Sequence, residues 1–348
     1  MTPNQCQSAA YEISDPAQIP PSPTVSVLML AYNHEAYVRQ AIESILEQEV
    51  DFPFEIVIGE DCSTDRTREI LLQYQSQRPE LFRIVTAGVN VGMNENFKRT
   101  SEACRGKYVA ICEADDYWVD AKKLSLQLAI AESRPEVSFV VHNAMVVPYG
   151  QARHLMASMN SDVIFGAKDI FDERGQFAAT ASYFMKREVL SSLPSWLDTA
   201  PVIDFFIEAY SQLLGVGYYM QKTMSIYRVG QPGGWTDKTF KSEYNAIAFQ
   251  YKMIECISKM IQDFSHFEKL LKKRRAYASR IIMFKSASIS KECFSYYFER
   301  CYSFLSLSER GIARLGPSVF RTWYRISWRI SCFMLRFSRC QKKINTSV

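Results

Sequence analysis

From Val25 onward the apolar positions of the chain alternate between two rhythms. Val25–Ala31 is a near-continuous apolar run, the pattern of a parallel strand buried on both faces. Glu35–Glu49 follows, with Val38, Ala41, Ile42, Ile45 and Leu46 at helical spacing. The alternation continues, predicting strands at Phe54–Gly59, Phe82–Thr86, Tyr108–Cys112 and Val137–His142 and helices at Asp65–Ser76, Glu95–Cys104 and Lys122–Ser133. Such a βαβα series predicts an α/β fold, a mostly parallel Rossmann-like sheet flanked by helices. Ligands in that architecture bind beyond the carboxyl ends of the strands.

Past about residue 145 the rhythm weakens. Pro148, Gly150, Gly166 and Gly175 mark residues 148–176 as loop-rich. Helical spacing returns at Ile203–Leu214, and Tyr218–Val229 reads as a pair of short strands. From Ser242 the pattern is helical, with few breakers before Gly311, Gly316 and Pro317. We therefore expect a leader over 1–23, an α/β ligand-binding domain over 24–238 and a helical C-terminal region over 239–345.

Composition narrows the class. The polar start carries Pro16, Pro20, Pro21 and Pro23 and lacks the basic and apolar stretches of a signal peptide, so a disordered leader on a cytoplasmic protein is expected. No apolar run has the length of a bilayer crossing. The nine cysteines show no C-x-x-C spacing, which predicts reduced thiols rather than disulfides or a zinc site. Of the net charge of +4, residues 318–348 supply seven Lys/Arg and no acid, leaving the body at −3. A nucleic-acid footprint on the body is therefore excluded.

Four predicted strands end in polar groups: Tyr32-Asn33-His34, Glu60-Asp61-Cys62-Ser63-Thr64-Asp65, Asn90-Val91-Gly92 and Glu113-Ala114-Asp115-Asp116. Together they predict a binding cleft on one rim. The three acids of Glu113–Trp118 close a buried strand, where like charges repel and burial costs several kcal/mol unless a cation intervenes. A divalent metal gripping a phosphate answers that need, and an acidic cap for a helix near Asp120 is the competing explanation. Tyr32 either stacks on a nucleobase or simply packs. Ser63, Thr64 and Asp65 read as the cap and first turn of the second helix. Asn90, Gly92 and Asn96 either bring amides toward ribose and phosphate or form an ordinary turn.

Taken together, Val25–Asn33, Glu60–Thr67, Asn90–Gly92 and Glu113–Trp118 resemble a family-two glycosyltransferase of the GT-A fold, over residues 24–236. The Glu-x-Asp-Asp-Tyr-Trp form, with Tyr227-Arg228 and a Gly-Gly turn downstream, is similar to enzymes of bacterial surface-polysaccharide synthesis. The resemblance implies a nucleotide-sugar donor, commonly a UDP-sugar, held by Ala31, Tyr32, Asn33, Glu60, Asp61, Asn90, Gly92, Asn96, Glu113, Ala114, Asp115 and Arg228. It implies that Asp61 accepts a pyrimidine imino N–H, that Glu113 contacts ribose or supports the metal, that Asp115 binds Mn2+ or Mg2+, and that Asp116 is a further metal ligand or an orienter. Asp204 matches the position of the general base, with a helix N-cap as the competing role. One base and one metal suit a single displacement, hence inversion at the anomeric carbon. Where the family often carries a His after Tyr-Arg, this chain has Val229-Gly230-Gln231, which puts metal affinity in question.

In a helical projection of 318–343, Arg321, Arg325, Arg329, Arg336, Arg339 and Lys343 fall opposite Val319, Trp323, Ile326, Ile330, Phe333, Met334 and Phe337. This fits a helix lying peripherally on the inner face of the membrane near a glycan or lipid-linked acceptor, or one that packs on its own domain. Two other functions compete with sugar transfer. A nucleotidyltransferase would want a Gly-rich basic loop after the first strand, where Ala31–Glu35 stands instead. A non-catalytic nucleotide-sugar-binding protein would not turn its donor over.

Overall fold

The computed structural model describes residues 9–157, 161–172, 176–232 and 234–327. Strand β2 (Val25–Ala31) is buried at every residue except Leu30, which explains its lack of polar alternation. The other strands are β1 (Tyr11–Ile13), β3 (Phe54–Glu60), β4 (Phe82–Thr86), β5 (Tyr108–Ile111), β6 (Tyr117–Trp118), β7 (Val137–Pro148), β8 (His154–Leu155), β9 (Val163–Phe165), β10 (Phe184–Lys186) and β11 (Val216–Val229). Helices of the same region are α1 (Val38–Leu46), α2 (Thr67–Gln77), α3 (Met93–Ala103), α4 (Lys123–Ser133), α5 (Ala167–Asp172), α6 (Glu188–Ser191) and α7 (Asp204–Ser211).

One sheet holds the strands in the order β1-β4-β3-β2-β5-β10-β7-β11-β6, with β8 on β7 and β9 on β11. β4, β3, β2 and β5 are parallel neighbours, as are β7 and β11. β10 runs antiparallel between β5 and β7. The expected α/β architecture is thus present as a mixed sheet flanked by helices. Val27, Met29, Ile56 and Ile58 meet Val38, Ala41, Ile42 and Ile45 of α1 in the core, and each Val, Ile or Met side chain among them contributes about 1.5–3 kcal/mol by leaving water. Gly59 is required by close packing, since a Cβ there would stand 2.0 Å from Thr100 Oγ1 on α3.

At the end of the sheet away from the cleft, the buried Glu55 carboxylate gathers Ser26 Oγ (2.6 Å), Arg105 N (2.9 Å), Arg105 Nη2 (2.7 Å) and Arg83 Nη1 (3.1 Å). Arg83 also reaches Glu12 Oε2 at 2.6 Å. That pair corrects the leader expectation: Tyr11–Ile13 is an ordered edge strand on β4, drawn there by Glu12 and by backbone pairing. Residues 1–8 lie outside the described residues.

Three further expectations need correction. Residues 148–176 contain β8, β9 and α5 rather than loop alone, because β7 and β11 offer them edges to pair with. Tyr218–Val229 is one strand, β11, whose register shifts between Met220 and Thr223 and again before Ser225 mimic a break in the pattern. β10 was not foreseen, being three residues long and lacking any alternation of its own.

The chain divides into two compact units, Met1–Pro232 and Gly233–Val348, a few residues before the expected 238/239 boundary. The second unit is helical: α8 (Trp235–Phe240), α9 (Glu243–Asp263), α10 (Glu268–Ser286), α11 (Lys291–Cys301) and α12 (Leu307–Arg314). Ser242, Ser290 and Ser306 cap α9, α11 and α12, the last in a capping box with Glu309. Its core joins Ile247, Ile254, Ile282, Met283, Phe294 and Phe320. Residues 317–327 are helical, and Phe320 and Trp323 pack into that core while Val319 and Ile326 stay exposed. The first part of the expected lipid-facing stripe is therefore shared with the unit's own interior. Arg329, Ile330, Phe333, Met334, Arg336, Phe337, Arg339 and Lys343 lie outside the described residues.

Candidate active site

The rim residues converge, and most of them first hold one another. Ala31 O accepts from Asp61 N at 3.0 Å, which sets the ends of β2 and β3 level. Asn33, at φ 59, accepts Thr64 N on its side chain (2.8 Å) and donates its own N–H to Ser63 Oγ (3.1 Å). Tyr32 remains 36% exposed beside this junction, so its ring is available to a ligand. Glu60 is fully buried, accepting from Ser63 N (2.6 Å) and Thr86 Oγ1 (2.8 Å). Both Asp61 oxygens accept backbone N–H groups, from Val91 (2.8 Å) and Gly92 (2.9 Å), and each keeps a further lone pair. Asn90 Nδ2 returns to Asp61 O at 2.9 Å. Gly92, at φ 86, opens α3. Asn96 is buried, its amide donating to Gly59 O at 2.8 Å, which makes it a strut of the sheet.

The expected capping group divides its labour. Asp65 Oδ1 accepts Thr67 N (2.9 Å) at the start of α2, and Oδ2 accepts Glu35 N (3.0 Å) across the cleft floor.

Across the rim, Ala114 N donates to Leu30 O (3.3 Å) and Asp116 N to Glu113 O (3.0 Å), folding the acids into a tight turn before β6. Glu113 and Asp115 are partly exposed, while Asp116 is buried. Asp116 Oδ1 accepts Arg228 N at 2.8 Å, which turns this side chain toward β11. Burial, then the charges of Asp115 and Asp204, push Glu113 up to about 8. Burial and Asp115 also raise Asp116 well above the usual carboxylate range. Asp204, the first residue of α7, accepts Phe205 N on Oδ1 at 2.6 Å. Its charge acts on Glu113 and Tyr227, so the structure brings Asp204 and the acidic turn into one field.

Besides the predicted Arg228 there are participants that carried no motif, among them Tyr37, Gln40, Glu208, Arg99 and Lys123. The Arg228 guanidinium lies between the rings of Tyr37 (5.0 Å) and Tyr117 (4.7 Å), and donates to Asp115 O and Gln40 Oε1. Tyr37 OH donates to Gln231 Oε1 at 3.4 Å, so the residue standing near the expected His belongs to this clasp. Glu208 is buried one turn beyond Asp204, accepting from Ala178 N (2.9 Å), Phe177 N (3.1 Å) and Tyr183 OH (2.7 Å). Burial and Asp204 push it up to about 8. An acid at i+4 from Asp204 on an aromatic helix is the signal that could have found it. Arg99 donates to Glu60 O (2.9 Å) and lies 3.6 Å from Asp61 Oδ1 beneath the loop. Lys123 is fully buried, its Nζ 4.0 Å over the Trp118 ring and 2.7 Å from Gln127 Oε1, and burial lowers it to about 7.

The comparisons with known proteins agree with this geometry. The profile of glycosyl transferase family 2 matches residues 26–193. Those residues are a family-2 glycosyltransferase domain. An uncharacterized protein of Mycobacterium tuberculosis is 30% identical to the chain over 214 residues, 61% of this chain and 60% of that protein. The putative teichuronic acid biosynthesis glycosyltransferase TuaG of Bacillus subtilis is 31% identical over 163 residues, 44% of this chain and 64% of that protein. The chain thus spans less than two thirds of these relatives' lengths. Among solved structures, S. aureus TarS 1-349 in complex with UDP-GlcNAc superposes with a TM-score of 0.54 at 17% identity, covering 82% of this chain and 77% of that one. The mannosyltransferase PcManGT of Pyrobaculum calidifontis, in complex with GDP-Man and Mn2+, superposes with a TM-score of 0.52 at 17% identity, covering 87% of this chain and 83% of that one. The family-2 domain therefore has the GT-A fold, and its matched span holds the whole rim from Ala31 to Asp116.

A divalent cation fits the acidic turn on the chemistry of its donors. Glu113 and Asp115 supply carboxylate oxygens in a turn where burial and neighbouring negative charge already push Glu113 up to about 8. Among the described residues no three His, Cys, Asp or Glu side chains surround one point. An ion here would take one or two carboxylates and draw its other ligands from a diphosphate and water, the habit of Mg2+ and Mn2+.

Proposed function

We propose that the chain is a metal-dependent, inverting glycosyltransferase that moves a sugar from a nucleoside-diphosphate donor to a glycan or lipid-linked acceptor of a surface polysaccharide. The observation that carries this reading is the convergence of the strand ends, where Asp61 N and Ala114 N donate to Ala31 O and Leu30 O and bring Tyr32, Asn33, Asp61 and the Glu113–Asp116 turn to one rim, with the charge of Asp204 reaching Glu113. The names of TuaG, TarS and PcManGT support it, the first for the class of product and the other two for nucleotide-sugar donors.

In this reading Tyr32 stacks on the base, and Asp61 offers its remaining lone pairs to a base N–H. Asp115 is the metal-binding carboxylate. Asp116 orients the turn through Arg228 N, and Arg228 holds the turn rather than the diphosphate. Bound there, Mn2+ or Mg2+ would neutralise charge on the departing nucleotide. Asp204 takes the proton from the acceptor hydroxyl as that oxygen attacks the anomeric carbon from the face opposite the leaving group, which inverts the centre. Glu208 keeps the 177–183 segment and α7 in register beneath Asp204.

Location follows the same logic. No helix among the described residues is long and apolar enough to cross a membrane. We place the chain in the cytoplasm, touching the inner face of the membrane through the exposed Leu315, Val319 and Ile326 together with Arg314, Arg321 and Arg325 of the same segment.

The test is nucleotide release from a panel of UDP-, GDP- and dTDP-sugars by the purified full chain, with Mn2+ or with chelator. Release that needs the metal and is lost in Asp115→Asn supports the reading. Donor binding without turnover in wild type would make the protein a binder, and no binding at all would remove the donor site.

A further inference from the structure

A cavity of about 440 Å³ opens between α3 and the segment 187–198, away from the rim residues that would hold a donor. Its lining runs from Cys104, just past the last turn of α3, to Asn94 in the first turn, about 15 Å at the helical rise. Ile203, the residue before Asp204, is also part of the lining. The shape is that of a trough along α3 whose lining comes within one residue of the candidate base. Its volume lies in the range of sites that enclose small ligands.

The walls are built. Asn94 Nδ2 donates to Leu197 O (2.9 Å), Asp198 O (3.1 Å) and Ala200 O (2.8 Å), pinning the far wall to α3 at the upper end. Arg187 N donates to Lys107 O at 3.1 Å and fixes the lower end. Across the trough Lys98 Nζ and Asp198 Oδ2 stand 3.6 Å apart, both about half exposed. Such a pair is weak in water and yields readily to a ligand.

The lining says which ligand suits it. Lys98 and Arg187 balance Glu102 and Asp198, so the trough has no net charge to select an anion or a cation. Ser101, Ser191 and Ser195 add hydroxyls that both donate and accept. Phe97, Leu190, Pro194 and Leu197 supply apolar patches between them. Four charged groups exclude a bare hydrocarbon chain. Alternating polar edges and apolar faces are the chemistry of a neutral pyranose chain.

We propose that this trough binds a short neutral oligosaccharide segment, the part of the acceptor that trails behind the hydroxyl presented to Asp204. The assignment rests on the glycosyl-transfer reading above, but its test does not use turnover. Saturation-transfer NMR on the full chain would be recorded with cellobiose, lactose and N,N′-diacetylchitobiose as probes, and separately with UDP. At least one disaccharide is expected to give a signal in wild type that Ser101→Trp and Ser191→Trp, on opposite walls, both abolish. The UDP signal stays unchanged in both. Should circular dichroism show either variant unfolded, Ser→Leu at the same position replaces it. Silence from all three disaccharides, or a signal that survives filling of either wall, overturns the proposal. Loss of donor turnover in wild type would instead strike the enzymatic reading and leave disaccharide binding to stand or fall alone.

Discussion

Arg228 Nη1 binds Asp115 through its backbone oxygen, and that choice leaves the carboxylate uncommitted to this arginine. Asp115→Asn is expected to lower metal-dependent nucleotide release about 10²–10³-fold while the thermal midpoint stays close to wild type, measured in parallel by coupled assay and calorimetry. Lys123 makes a different kind of prediction. Burial lowers it to about 7, whereas in the unfolded chain it titrates near the ordinary lysine value. Between those two points the unfolded state binds the extra proton, so this residue makes stability rise as pH rises, by about 1 kcal/mol per pH unit. Glu113 and Glu208 work the other way, since folded carboxyls raised to about 8 lose stability as pH climbs from the ordinary carboxylate range. Above pH 8 only the lysine slope remains of these three. Urea midpoints from pH 8 to 9.5 should climb in wild type relative to Lys123→Met, and parallel curves would show that the amine is charged inside the fold.

At the scale of elements, the site depends on how β11, α1 and the acidic turn are tied. Arg228 is the knot, stacked by Tyr37 and Tyr117 and bonded to Asp115 and Gln40. Arg228→Lys keeps the charge but loses the planar fork and both stacks. It should weaken Mn2+ binding, read by electron paramagnetic resonance in the presence of UDP, by about 10–100-fold. Equal affinity in the two proteins would return Arg228 to a purely local role. Gly59→Ala tests the seat of α3, because its Cβ would meet Thr100 Oγ1 at 2.0 Å. A loss of about 1–3 kcal/mol in urea titration is expected. These ties were hard to see in the sequence. The period of Val38–Leu46 announces a helix, yet nothing in it marks Tyr37 as the ring above an arginine 191 positions later. The strand ends were legible because their apolar runs stop at polar clusters. The inward turn of Asp61 and Glu60 was not, since a carboxylate that caps a loop and one that meets a ligand look alike until the N–H groups of Val91, Gly92 and Ser63 are placed.

For the whole molecule, the α/β pattern over 25–142 was readable because buried parallel strands are uniformly apolar and helices are periodic. What followed was legible only in part: the helix near Ile203–Leu214 and the helical region from Ser242 were, but β10 and the irregular β11 are set by pairing with distant strands rather than by their own composition. The helical unit carries the basic end of the chain, but Phe320 and Trp323 serve its own core. Any hold on a lipid surface then falls mainly to charge. Replacing Arg314, Arg321 and Arg325 by Gln should reduce binding to phosphatidylglycerol vesicles by about 1 kcal/mol for each arginine, measured by co-sedimentation at low salt. Unchanged sedimentation would leave the unit without a membrane role.

The amine sealed over the Trp118 ring has one more consequence. A lysine that is about half uncharged at neutrality is a ready nucleophile lacking only access. Slow carbamylation by cyanate, followed at Lys123 by peptide mass spectrometry, would act as a clock for how often the turn bearing the acids and the neighbouring Trp118 move aside, and a bound donor should slow its ticking.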